Sequence, residues 1–311
     1  MKAVVYNKKA PNKLVFIEVA KPEPNDNEVL IRVMAVGLNA ADYRSMRMGL
    51  IPKRKIFGAD VAGFIESVGK NIRKFKVGDE VLGDLASYGF GGLAEYALAP
   101  ENLLVHKPQN VAFEDAASIS LAAITALQAL QKKRDIGVGT RVLILGSSGG
   151  VGSFAVQLAK HFGATVTAVC SSRNMEQSRM LGADFVLDYT KQDVVKSNQK
   201  HELILAINGN YSLLGCKRLL TKDGVYVMVG GDLRQILKAM LFGWFLSIGN
   251  KKMQFLAAKA NQKDLEMLVK LVSEGKVKPL IEERYTLEQA PEAMQKLNQG
   301  HARGKVVINI G

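Results

Sequence analysis

The stretch that most constrains this chain runs from Thr140 to Arg173, TRVLILGSSGGVGSFAVQLAKHFGATVTAVCSSR. Val142 to Leu145 is a short aliphatic run bounded by turn residues, the pattern of a strand buried on both faces of a parallel sheet. GSSGGVG, Gly146 to Gly152, comes next, then an apolar run with helical spacing from Phe154 to Phe162, then a second strand pattern from Thr165 to Cys170. Strand, glycine turn, helix and strand in that order predict a βαβ unit of the dinucleotide-binding kind. The glycines have a physical reason: backbone must approach a pyrophosphate where a Cβ would obstruct it. The helix must also begin beside the anion, with its unpaired N–H groups facing it. Set on the pattern G-x-G-x-x-G, the three positions are Ser147, Gly149 and Gly152, so a serine stands at the first. A glycine-rich turn alone would fit many α/β proteins; the flanking strand, helix and second strand make this one specific. Ser148, Gly149, Gly150, Val151 and Gly152 form the predicted phosphate cradle.

The end of the second strand bears on which dinucleotide is held. A site for the unphosphorylated form places Asp or Glu there to accept from the ribose 2′-hydroxyl. This chain instead has Ser171, Ser172 and Arg173, with no carboxylate at that strand end. Hydroxyls and a guanidinium suit a 2′-phosphate. Tyr189, just after the third apolar run Phe185 to Leu187, adds an aromatic edge and a hydroxyl to the same predicted pocket. The expected cofactor is NADPH. The structural alternative for Arg173 is a solvated residue at a helix start.

Composition bounds the rest. With 311 residues the chain can form two domains with real cores. Its two cysteines, Cys170 and Cys216, exclude a disulfide framework and a cysteine-built zinc site. Both lie in or beside apolar segments, as buried thiols of a reducing compartment would. The start of the chain shows no signal-peptide pattern and no run has the length of a membrane span, so the expected location is cytoplasmic. A formal net charge of +13 invites a nucleic-acid or membrane reading. The basic residues are scattered, however, without interleaved aromatic platforms or a DNA-binding motif. They read as solvated surface charge.

Residues 1 to 100 read as β-rich, with short apolar runs at Lys2 to Tyr6, Val29 to Val36, Val61 to Val68, Glu80 to Leu82 and Leu93 to Ala97 between turn residues. Only a turn around Ala40 to Met48 interrupts them. From Phe113 the pattern changes to α/β alternation. An apolar helix opens on Glu114 and Asp115 and ends near Lys132 to Arg134, a charge order that complements the helix dipole. Strands follow at Leu203 to Ile207 and Val225 to Val229, and helices around Asn174 to Leu181, Leu213 to Leu220 and Asp264 to Ser273. Gly275 reads as the C′ residue of the last. Leu280 to Tyr285, the helix Leu287 to Leu297 and the strand Lys305 to Ile310 have no place in the parallel sheet and are expected to return to the first domain.

These segments together resemble the zinc-free, quinone-oxidoreductase-like branch of the medium-chain dehydrogenase/reductase superfamily. The resemblance covers nearly the whole chain and rests on GLNAAD (Gly37 to Asp42), GADVAGFIESVG (Gly58 to Gly69), FKVGDEV (Phe75 to Val81), GGLAEY (Gly91 to Tyr96), LAAITALQAL (Leu121 to Leu130), GSSGGVG, LGAD (Leu181 to Asp184) and HARGKVVI (His301 to Ile308). It implies an α/β chain with a Rossmann doubly wound parallel sheet over 113–275. A GroES-like, β-rich catalytic domain would be made from 1–112 and 276–311, with a cleft between the two. It also implies a homodimer.

Zinc-dependent members carry a cysteine where this chain has Asn39, and Gly-His-Glu where it has Gly58-Ala59-Asp60; the lobe with four structural cysteines is missing. The four histidines are isolated, so no zinc ligand set is expected. The resemblance makes Asn39 a contact for ribose or a substrate carbonyl, and Asp42 a residue that fixes the loop. Thr125 faces the nicotinamide in relatives, although a helix threonine also bonds back to its own turn. By the same resemblance Gly230 and Gly231 match the segment that lies along the nicotinamide, and Lys305 matches a residue that reaches the cofactor side of the cleft. Many members have an aromatic residue two positions after the Asp; here Tyr43 comes one position after and Arg44 takes the next. The expected reaction is hydride transfer from NADPH to a quinone or an α,β-unsaturated carbonyl, with Asn39 and Thr125 nearest the chemistry. Two other readings stay open: a catalytically silent NADPH-binding protein, and a membrane-surface protein using Ile236 to Gly249 (ILKAMLFGWFLSIG), which in the family lines the substrate cleft and a subunit contact.

Overall fold

The computed structural model describes residues 1–230, 247, 249–300 and 302–311. Gly231 and His301 lie outside the described residues, as does the apolar segment Ile236 to Gly249 apart from Ser247 and Gly249. The described chain divides into two compact units, Met1–Ile124 with Ala260–Gly311, and Thr125–Lys259.

In the first unit, strands β1 (Lys2–Tyr6) and β2 (Leu14–Glu18) form an antiparallel pair. The main sheet contains β3 (Glu28–Leu38), β4 (Asp60–Val68), β5 (Glu80–Asp84), β6 (Tyr96–Pro100), β7 (Leu104–His106), β14 (Ile281–Thr286) and β15 (Lys305–Asn309). Its order is β14-β15-β3-β4-β5-β7, with β6 also paired to β3. Strands β14 and β15 thus belong to the β-rich unit, and β15 lies antiparallel on β3 with Val306 opposite Leu38 and Ile308 opposite Val36. Alternation along the strands turns Val29, Ile31, Val33, Val61 and Ile65 into a core completed by Phe57, Leu93 and Ile308. The expected turn at Ala40 to Met48 is a helix, α1 (Ala40–Arg47). Its start is held by the Asp42 carboxylate, which reaches back to the Asn39 N–H. The strand expected at Leu93 begins only at Tyr96, because the Gly92 and Leu93 N–H groups donate to the carbonyls of Gly58 and Phe57 instead.

The second unit has six parallel strands: β8 (Arg141–Leu145), β9 (Thr165–Cys170), β10 (Phe185–Asp188), β11 (His201–Ala206), β12 (Leu220–Met228) and β13 (Lys252–Phe255). Their order is β10-β9-β8-β11-β12-β13, which numbered from β8 is the 3-2-1-4-5-6 order of a doubly wound dinucleotide fold. Val142 to Leu145 are fully buried, as a central parallel strand requires. Helices α3 (Gly150–His161), α4 (Met175–Met180) and α5 (Leu213–Leu219) connect the strands. The edge strand β13 has no counterpart in the sequence reading, because KMQF carries neither a continuous apolar run nor strict alternation.

The two units divide between Ile124 and Thr125 and between Lys259 and Ala260. These divisions fall inside α2 (Phe113–Leu130) and before α6 (Gln262–Ser273). Two contacts explain this. A Cβ on Gly37 of β3 would lie 2.1 Å from the Ala117 carbonyl oxygen, so the first half of α2 lies backbone-close on that sheet. From α6, the Gln262 amide donates to the Leu104 carbonyl at 2.6 Å, and Ser273 donates to Asn110 at 2.8 Å.

Candidate active site

The second unit brings most of the predicted cofactor residues to one end of its sheet. Parallel pairing sets Leu145 beside Val169 and Ala206, Val169 beside Leu187, and Ala206 beside Met228. The C-terminal ends of five strands are therefore level. Gly146, Ser171, Tyr189 and Gly230 follow those ends directly, and the chain reverses its strand order between β8 and β11, where such folds hold a ligand.

The turn after β8 is built differently from a simple overlay of the glycine pattern. The left-handed residue is Gly146 (φ 88°), one position before Ser147, and a Cβ there would meet Asn208 at 2.9 Å. Ser147 is buried, donating to the Val169 carbonyl at 3.2 Å and pairing with Ser178 at 3.0 Å, so a serine fits the position of the missing glycine. Helix α3 begins at Gly150, four residues earlier than its apolar pattern, with Gly149 as N-cap and no side chain capping it. Gly149 and Gly152 answer two needs. A Cβ on Gly152 would lie 2.2 Å from the Gly146 carbonyl oxygen, so helix and turn touch only because it is absent. A Cβ on Gly149 would meet nothing within 4 Å. That open space lies over uncapped N–H groups at a helix start, and it fits a pyrophosphate. Ser148 is fixed through its carbonyl, which accepts from Gln177 at 2.9 Å.

At the end of β9, Ser172 and Arg173 are exposed and Ser171 is half-buried in a single 3-10 turn. One feature corrects the reading of this pocket as free of carboxylates. Cys170 pairs with Asp188, the last residue of β10, and the Ser172 hydroxyl donates to that carboxylate. Asp188 also accepts from the Thr190 N–H at 2.9 Å and hydroxyl at 2.7 Å. The Ser172 and then the Thr190 hydrogen bonds hold its carboxyl below the usual range. The Ser172 hydroxyl is thereby committed as a donor to Asp188. Exposed Tyr189 lies one residue beyond, its N–H bonded to the Cys170 carbonyl.

In the first unit, Asn39 and Lys305 belong to a buried polar knot. Asn39 donates from Nδ2 to the Asp60 carboxylate at 2.8 Å and to the Gly37 carbonyl at 3.1 Å. Its Oδ1 accepts from Lys305 Nζ at 2.7 Å. Lys305 also lies 3.2 Å from Asp60, the two side chains being 2% and 0% exposed. The other Asp60 oxygen accepts the Leu121 N–H at 3.0 Å. Asp42 holds the loop by accepting from the Asn39 N–H at 2.7 Å and the Gly58 N–H at 3.0 Å. Burial raises the Asp42 carboxyl to about 7 against those bonds, and raises Asp84, with the neighbouring Asp60 charge, to about 7. Burial also pushes Asp60 up, against the opposing pull of Lys305, Asn39 and the Leu121 N–H. Thr125 is buried on the part of α2 that belongs to the second unit. Tyr43 packs part-buried against the core, with the Arg44 guanidinium 5.9 Å from its ring centre.

Residues 25–109 match the alcohol dehydrogenase GroES-like domain family, and 181–308 match the family described as zinc-binding dehydrogenase. The solved quinone oxidoreductase of Coxiella burnetii superposes with a TM-score of 0.91 at 28% identity, over 100% of this chain and 99% of that one. The chloroplastic quinone-oxidoreductase QR1 of Triphysaria versicolor is 34% identical over 95% of this chain and 93% of its own length. This chain belongs to the medium-chain dehydrogenase/reductase superfamily, in its quinone-oxidoreductase branch. The 2-methylene-furan-3-one reductase of Solanum lycopersicum is 34% identical over 94% of this chain and 74% of its own. The chain is thus an oxidoreductase of that superfamily with a nicotinamide cofactor.

The donor set does not fit the zinc of the matched family's description. At the positions where zinc-dependent members carry ligands stand Asn39, Ala59 and Asp60, and the polar pair is bonded to an ammonium. Among the described residues no three His, Cys, Asp or Glu side chains are grouped to hold a metal. Sequence reasoning named Asp60 only as the residue at a zinc-ligand position and did not single out Asp84 or Asp188. Asp84 and Asp188 are single acids closing short strands, and only the sheet pairing shows what lies beside them.

Proposed function

We propose that this chain transfers hydride from NADPH to the conjugated carbonyl of a quinone, enal or enone, without catalytic zinc. The observation carrying the zinc-free part is Lys305 seated on Asn39 and Asp60. A fixed cation already satisfies the polar groups that a metal would need. A conjugated acceptor takes hydride at carbon and spreads the resulting charge onto oxygen, so it needs less polarisation than an isolated ketone. Such acceptors are named in the quinone-oxidoreductase and furanone-reductase relatives.

The cofactor, when bound, supplies the hydride. Ser148 to Gly152 would hold the pyrophosphate, Ser171 and Arg173 the 2′-phosphate, and Tyr189 and Gly230 the flanking parts. Asn39 is held rigid by two donated bonds and one accepted bond, so it acts as a preorganised contact. Thr125 is the second residue assigned beside the nicotinamide. Two buried thiols, Cys170 and Cys216, suit a reducing compartment such as the cytoplasm.

The test is oxidation of NADPH and NADH by the purified protein over a panel of quinones, enals, enones and simple ketones, with and without chelator. Turnover of conjugated acceptors that survives chelator, with simple ketones inert, supports the proposal. One tightly held zinc per chain by elemental analysis, or loss of activity in chelator, overturns the zinc-free reading. Turnover of simple ketones alone overturns the acceptor class, and an equal Kd for the two cofactors overturns the preference.

A further inference from the structure

We propose that the end of the parallel sheet opposite the nucleotide turn carries a second anion site, suited by its charge to the phosphate group of a small phosphorylated ligand. A depression of about 590 Å³ opens there, lined by Arg141, Lys200, Lys217, Lys222 and Lys251. The topology explains their convergence. Strands β8, β11, β12 and β13 are consecutive neighbours in the sheet and run parallel, so their starts lie side by side. Arg141 opens β8, Lys200 and Lys251 immediately precede β11 and β13, and Lys222 lies near the start of β12. The pairing of β11 with β12 jumps from His201–Leu220 to Leu203–Val225, so Thr221 to Gly224 leave the ladder at this edge. Lys217 comes from the last turn of α5.

Two arrangements separate this cluster from ordinary solvated charge. Arg141 is neutralised by a bidentate pair with Glu202, at 2.8 and 3.2 Å, and among the described residues no acid lines the depression. The lysines also partly serve the end of α5: Lys200 donates to the Arg218 carbonyl at 2.5 Å and Lys251 to the Lys217 carbonyl at 2.9 Å. Complementing a helix C-terminus in this way uses one N–H of each ammonium and leaves two. One lysine would complement the dipole; two there, with Lys217 and Lys222 beside them, exceed that need. Their mutual repulsion is visible at Lys251, whose ammonium is held below the usual lysine range by burial and then by Lys200 and Lys217. A phosphate would relieve that repulsion and accept the remaining N–H groups. The volume lies within the range of small-ligand sites.

The test is isothermal titration of the full chain, loaded with NADPH so that the nucleotide turn is occupied, with inorganic pyrophosphate at fixed ionic strength. It compares the wild type, Lys200→Gln/Lys251→Gln, Lys222→Glu and Lys9→Gln, an exposed basic residue of the first unit. Lys222→Glu touches no helix cap and keeps the test decisive should the double variant fold poorly. The two basic-cluster variants should each weaken pyrophosphate binding by about tenfold or more, while Lys9→Gln leaves this binding within about twofold. Binding unchanged by Lys222→Glu, or weakened as much by Lys9→Gln, overturns the site. Sedimentation with vesicles of phosphatidylglycerol and phosphatidylcholine distinguishes the source of the phosphate. Vesicle binding lost in the same variants supports the site and identifies a lipid headgroup as its ligand. Absence of both pyrophosphate and variant-sensitive vesicle binding overturns the proposal.

Discussion

Replacing Lys305 by Met keeps the length of the side chain and removes its charge. In the wild type the Lys305 ammonium lies 2.7 Å from Asn39 Oδ1 and 3.2 Å from Asp60, at 2% exposure. After Lys305→Met, Asp60 keeps the Asn39 amide and the Leu121 N–H but no counter-charge. A buried pair broken from one side costs about 3–5 kcal/mol, because the remaining charge is buried uncompensated. Asp60 can escape that cost by taking up a proton, which fixes the sign of the pH dependence. Its folded carboxyl is already pushed above the ordinary value by burial, and loss of Lys305 pushes it further up. A raised folded carboxyl makes the folded state bind more protons than the unfolded one, so stability is lost as pH rises through the folded value. The deficit of Lys305→Met should therefore be about 3–5 kcal/mol near pH 8 and shrink towards pH 5. Adding Asp60→Asn removes the orphaned charge, so the double variant should recover about 2 kcal/mol at pH 8 and lose the extra pH dependence. Urea unfolding followed by circular dichroism, run as a double-mutant cycle at both pH values, measures all of this. A Lys305→Met cost below about 1 kcal/mol at pH 8, or strictly additive single costs, would refute the buried ion pair as described.

Other outcomes follow from the same geometry. Asp42 and Asp84, both raised to about 7, are protonated in the folded chain at pH values where the unfolded chain has lost those protons. Wild-type stability should therefore fall as pH rises from about 4 to 7, and Asp84→Asn should flatten that slope while keeping the bond from the Ala86 N–H. Gly152→Ala forces a Cβ to within 2.2 Å of the Gly146 carbonyl oxygen, so the turn must move. Cofactor affinity, read by fluorescence titration, should fall by about tenfold or more. Arg173→Ala removes a charge-assisted partner worth about 1.5–3 kcal/mol, so it should weaken NADPH by roughly ten- to a hundredfold and leave NADH nearly unchanged. Equal weakening of both cofactors would remove Arg173 from the phosphate pocket.

The βαβ core was legible because its strands are buried on both faces, which leaves uninterrupted apolar runs such as Val142 to Leu145. The order of the sheet was legible only as a family property, since nothing local states which strands neighbour which. The glycine pattern located the turn without saying which residue takes the left-handed conformation, because spacing does not report φ; it is Gly146, one position before the first pattern position. Asp188 was missed for a topological reason. It lies 16 residues after Ser172 in the chain, yet parallel pairing sets it beside Cys170. Asn39 and Lys305 are 266 residues apart, so their bond has no signature in periodicity or composition. Resemblance named both residues, and only the fold gave them to one another.

That separation also bears on how the protein is made. Asn39 and Asp60 precede the whole of the second unit in the chain, whereas Lys305 follows it. Synthesis from the N-terminus therefore completes strands β3 to β7 with two buried polar groups lacking their cation and with the β15 position beside β3 open. Contacts of such long sequence separation form late and slowly. During that interval the β3 edge is a surface on which strands of other chains can pair. The second unit, contiguous from Thr125 to Lys259, faces no such wait. Chaperone demand during translation should therefore concentrate on the first unit and end when β15 emerges and docks.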